Sequence, residues 1–106
     1  MVLQKLTQVQ ELIKACAKDS KKFEQARELW HRSTPELLAT IAYDCTVHVA
    51  DIDKAFDEIL AIRMTENSDN SIQLIAKTLL EEMVALSSAF KLYSSWASGM
   101  LEEVPK

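Results

Sequence analysis

The sequence predicts an all-α fold, an antiparallel up-down-up bundle of three long helices, and three observations carry that prediction. One glycine and two prolines among 106 residues leave little to punctuate strands and hairpins. Apolar residues recur at alternating spacings of three and four over three stretches of similar length, the period of one helix face. Two polar runs rich in capping residues separate those stretches.

The first helix is expected over about residues 2–32. Val2, Leu6, Val9, Ile13, Cys16, Ser20, Phe23, Arg27 and Trp30 form its stripe, apolar except at Ser20 and Arg27. The polar run Lys18-Asp19-Ser20-Lys21-Lys22 offers an alternative. Asp19 or Ser20 could cap a new helix there, and a break near residues 18–21 would make a four-helix bundle. The first boundary is Ser33-Thr34-Pro35-Glu36. Either Thr34 caps with Pro35 at the first helical position, or Ser33 forms a capping box with Glu36.

The second helix is expected over 35–64, with Leu38, Ile41, Cys45, His48, Ile52, Ala55, Ile59 and Ile62 on one stripe. Leu37, Ala42, Val49, Phe56 and Leu60 widen it, as suits a helix touching two neighbours. The second boundary falls in Thr65-Glu66-Asn67-Ser68-Asp69-Asn70, where Gln73 stands three places after Asn70 in capping-box spacing. The third helix, over 70–103, carries Ile72, Ile75, Leu79, Met83, Leu86, Phe90, Tyr93, Ala97 and Met100. Gly99 is a candidate left-handed cap ending it early.

Length and composition place all of residues 1–106 in one domain. The net charge of −4, without a long basic run, argues against nucleic acid and anionic bilayers as partners. No apolar stretch reaches the roughly 18 residues that span a membrane, so no membrane association is expected. Cys16 and Cys45 show neither CxxC nor zinc-finger spacing, which predicts two free thiols in a reducing, cytoplasmic setting and no cofactor.

If the helices fold back at these breaks, level residues on the first and second helices have numbers adding to about 67, and on the second and third to about 134. That register sets Lys14, Lys18 and Lys22 opposite Asp53, Asp51 and Asp44, and Lys77 opposite Asp57. It keeps Cys16 and Cys45 roughly 9 Å apart along the axis, too far for a disulfide.

Phe23, Trp30, Tyr43, Phe90, Tyr93 and Trp96, six of the seven aromatics, fall at the end near the first turn. Large rings packing a core explain several of them. Trp30, His31, Tyr43, Leu92, Tyr93 and Trp96 are the candidate partner-binding residues, because Trp and Tyr are favoured interface anchors. Leu74, Leu92 and Leu101 lie off the main stripe of the third helix and are surplus to one core. Late serines, Ser87, Ser88, Ser94, Ser95 and Ser98, would permit close approach of another helix.

Only one constellation hints at chemistry. His48 stands one turn from Asp44 and near Asp51, with Glu82 and Cys16 at a similar level, so Asp44, His48, Asp51 and Glu82 form a weak alternative metal set. The paired Glu-x-x-His pattern of carboxylate-bridged di-iron bundles is absent. A single glycine rules out a glycine-rich phosphate loop. The expected function is therefore a non-catalytic helical protein-protein interaction module whose partner is another protein or a second copy of itself. The alternative is a bundle that binds a small ligand or metal between helices near His48.

Overall fold

A computed structural model describes residues 2–65 and 70–103. It contains three long helices, α1 (Val2–Glu28), α2 (Pro35–Thr65) and α3 (Asn70–Glu103), with a single 3-10 turn at Trp30–Arg32 before α2. Helix packing against helix makes a three-helix bundle, drawn out to 58 × 18 × 17 Å.

α1 is continuous through Lys18–Lys22, so the break that would make a fourth helix does not form. The stripe explains why: Cys16 and Phe23, one turn to either side of Ser20, are both buried, and an interruption there would pull one of them out of the core. α1 stops at Glu28, about a turn short of the expected end. Beyond it the Arg32 N–H donates to the Leu29 carbonyl at 2.9 Å and the Ser33 N–H to the Trp30 carbonyl at 3.0 Å. The last turn thus tightens from α to 3-10, as helix ends commonly do.

Of the two caps offered at the first boundary, Thr34 is used. Its hydroxyl accepts the Leu37 N–H at 3.1 Å, one of the donors a helix start leaves unpaired, while Pro35 occupies the position that needs no donor. The Ser33 hydroxyl turns the other way and donates to the Ala26 carbonyl at 3.5 Å. Glu66–Asp69 of the second expected boundary lie outside the described residues. On either side of them the Gln73 amide donates to the Arg63 carbonyl at 3.0 Å, joining the end of α2 to the start of α3.

α3 does not end at Gly99 but runs on to Glu103, and among the described residues no backbone enters the positive-φ region. A helical glycine needs no left-handed cap where the chain continues, so Gly99 is simply an unfilled helix position with open space around it.

Leu6, Val9, Ile13, Cys16 and Phe23 of α1 meet Leu38, Ile41, Cys45, Ile52, Ala55 and Ile59 of α2 in the core. All eleven stand on the expected stripes. α3 contributes Leu79, Met83, Phe90, Tyr93 and Ala97 as expected, but also Ala76, Leu80 and Ser87. Each helix has two neighbours, α2 included as expected, but α3 packs most fully against both of its own, along α2 and also against α1, whereas α1 and α2 approach each other least. Two adjoining stripes on α3 are buried for that reason, one for each neighbour.

The expected lysine-aspartate ladder does not form. Lys14 pairs with Glu11 at 3.5 Å and Lys77 with Glu81 at 4.0 Å, each within its own helix. A lysine does pair across from α1 to α2, but it is Lys5, with Glu58 at 2.9 Å. Lys14, Lys18 and Lys22 are exposed on α1, while the groups that meet α2 come from its buried edge. The antiparallel register itself holds, because Asp19 and His48 meet on the predicted line.

Candidate functional site

His48 of α2 is a polar side chain that touches both neighbouring helices. It sits on the apolar stripe of α2, and its side chain is 18% exposed. The ring Nε2–H donates to Asp19 Oδ2 of α1 at 2.8 Å. On the other side Cys16 Sγ lies 3.6 Å from Nδ1. The ring face stacks on Phe90 of α3, centroids 4.8 Å apart at 27°. Phe90 in turn meets Phe23 and Tyr93 edge-on at 6.2 and 6.4 Å, and Phe23 meets Tyr93 at 6.4 Å. Four rings from three helices therefore form one cluster, with the imidazole as its polar edge.

The carboxylate beside Nε2 calls for a proton on that nitrogen, and in the neutral ring Nδ1 is then the acceptor for the Cys16 thiol. Burial, reinforced by the charges of Asp19 and Asp51, pushes the Cys16 thiol from an ordinary 9.0 up to about 11. Burial, with Asp44 and Asp19 adding to it, pushes Cys45 up to about 12. Both thiols are free, buried and protonated at neutral pH. The order thiol, imidazole, carboxylate matches an activated nucleophile in outline. The chemistry runs the other way, since reactive cysteines have lowered pKa values and open access. The triad is a satisfied polar junction between α1 and α2, the two helices that approach each other least.

Asp44, His48, Asp51 and Glu82 are not gathered into one site. Both ring nitrogens of His48 have partners in Asp19 and Cys16. Asp51 lines the cleft between α1 and α2 with Lys5, Lys54 and Glu58, whereas Glu82 lines the cleft between α1 and α3 with Gln10 and Lys14. Among the described residues no three His, Cys, Asp or Glu side chains come together to hold a metal ion.

The candidate partner-binding residues divide. Tyr93 is buried in the ring cluster and Trp96 is half-buried against the core. Tyr43, Trp30 and Leu92 point outward, 70%, 56% and 49% exposed. His31 is exposed too, edge-on to Trp30 at 6.0 Å in the 3-10 turn.

A surface the sequence did not single out runs between α2 and α3. Two adjoining clefts of about 310 and 220 Å³ lie along it, and no residue of α1 lines either. The first is lined by Cys45, Thr46, Val49, Lys91, Ser94, Ser95 and Ser98, the second by Ile52, Asp53, Phe56, Met83, Val84, Ser87, Ser88 and Lys91. Four of the late serines thus border the clefts and Ser87 is buried at their edge. The signal was present in the flanking positions Val49 and Phe56, seven residues apart on the side of α2 that α1 does not cover. Comparison with family models, curated proteins and solved structures found no match to this chain.

Proposed function

We propose that this chain is a non-catalytic helical protein-protein interaction module that binds through the face shared by α2 and α3. The observation that carries this reading is large apolar side chains left in water along those two helices. Val84, 54% exposed, lines the cleft floored by Ile52 and Met83, and Leu92, 49% exposed, and Tyr43, 70% exposed, stand on the same two helices outside the cleft lining. Such a surface costs solubility, and proteins keep one where a partner covers it. The clefts give that partner a place for apolar side chains, and the serines on α3 let a helix lie close.

The test is binding by the intact chain and by a variant carrying Tyr43→Ser, Val84→Ser and Leu92→Ser. All three positions are exposed, so circular dichroism and thermal unfolding should be nearly unchanged. Association with a protein partner, detected by crosslinking and mass spectrometry, should be lost in the triple variant. Undiminished association in a folded triple variant would refute the reading.

A further inference from the structure

We propose that the partner on the α2-α3 face is a second copy of this chain, related by a two-fold axis running along the bundle. The proposal rests on the interaction-module reading and names its partner.

Charge placement is the first argument. Asp53 borders the cleft from the α2 side and Lys91 from the α3 side, at opposite edges of an apolar floor. Among the described residues neither is in an ion pair within its own chain. The His48–Phe90 stack sets Asp53 level with about residue 85, so the Lys91 backbone stands roughly 9 Å further along the bundle, a gap that the two side chains, each leaning toward the N-terminus of its own helix and so toward the other, can close. A two-fold axis parallel to the helices lays α2 of one copy on α3 of the other. Asp53 then meets Lys91 of the partner subunit, and by symmetry the pair forms twice. A two-fold axis across the helices would instead lay α2 on α2 and acidic edge on acidic edge, so the charges select the first arrangement.

Area is the second argument. The chain exposes 7093 Å², where a compact protein of its mass, 12.0 kDa, exposes about 6,000 Å². Its radius of gyration, 16.4 Å, likewise exceeds the roughly 13 Å of a compact domain of this length. The excess surface, about 1,100 Å², is more than the roughly 800 Å² each partner contributes to a standard interface. One long side of a 58 × 18 Å outline supplies that area. Pairing two rods side by side removes the excess and covers Val49, Phe56 and Val84 together.

The experiment is mass by light scattering after size exclusion, over a concentration series, for the full chain and three variants. Asp53→Lys and Lys91→Asp each set like charges opposite each other at two places. The double variant restores opposite charges. The wild type should dimerise, each single variant should weaken dimerisation about tenfold or more, and the double should return to within a few-fold of wild type. Circular dichroism confirms that all four fold. A monomer at every concentration overturns the proposal, as does a dimer whose strength ignores the single changes or is not rescued by the double. If the chain is monomeric but the wild type still associates with a different protein, and the Tyr43, Val84 and Leu92 triple variant does not, only the self-pairing fails. If neither association is found, both readings fail.

Discussion

Replacing His48 with alanine tests whether the polar junction pins α1 to α2. The ring makes a 2.8 Å hydrogen bond to Asp19, contacts the Cys16 thiol and stacks on Phe90. A hydrogen bond to a charged group contributes about 1.5–3 kcal/mol when sheltered. Asp19 is 40% exposed on its side chain and can rehydrate once the ring is gone, so about 1 kcal/mol is the better figure here. Losing the ring from the face of Phe90 adds an aromatic contact and a void, about 1–2 kcal/mol more. The total, about 2–3 kcal/mol, should lower the midpoint of thermal unfolding by roughly 10 °C. The assay is urea unfolding of His48→Ala, Asp19→Ala and the double variant, with Asp51→Ala as an exposed control. The cycle should give a coupling near 1 kcal/mol between positions 19 and 48, and the control should cost under about 0.5 kcal/mol. A His48→Ala loss no larger than the control's, or no coupling, would refute the junction.

Three further outcomes are expected. Gly99 lies within a helix and an added Cβ would meet nothing within 4 Å, so Gly99→Ala should stabilise the chain by about 0.5–1 kcal/mol, read as a rise in the thermal midpoint. A folded thiol pKa raised above the unfolded 9.0 stabilises the native state below pH 9 and loses that contribution as pH climbs through about 11 for Cys16 and about 12 for Cys45. Wild-type stability should therefore fall more steeply above pH 9 than that of a Cys16→Ala, Cys45→Ala variant. At neutral pH both thiols should react with a disulfide reagent only after denaturant is added.

The sequence made the fold legible where one stripe marks the buried face of a helix. The stripes of α1 and α2 give eleven buried residues because on each of those helices large apolar side chains mark one continuous stripe at period 3.6. It was less legible on α3, where two neighbours bury two adjoining stripes and Ala76, Leu80 and Ser87 become core. A serine and an alanine carry little hydrophobic signal, so periodicity passes over them. His48 was visible as a polar group on an apolar stripe, but its partner was not. Asp44 and Asp51 look closer in sequence, while Asp19 is nearer because the antiparallel register brings it level from another helix. The numbers of Asp19 and His48 add to 67, the sum that the register sets for level residues, yet Asp19 reads locally as a helix cap. Lysine partners were misread for a related reason: register fixes height along the bundle and says nothing about which way a side chain faces. Val49 and Phe56 marked the α2 side of the cleft between α2 and α3, but which groove α1 fills, and so which cleft stays open, is encoded in no local pattern.

Inside the bundle, His48, Asp19 and Cys16 join α1 to α2, while most of the exposed large apolar side chains lie outside along α2 and α3. The most direct test of that division is the mass of the unmodified chain by sedimentation equilibrium from micromolar to near-millimolar concentration. The account predicts a shift from the 12.0 kDa single chain to twice that mass as concentration rises. A mass that stays at the single-chain value throughout would contradict it.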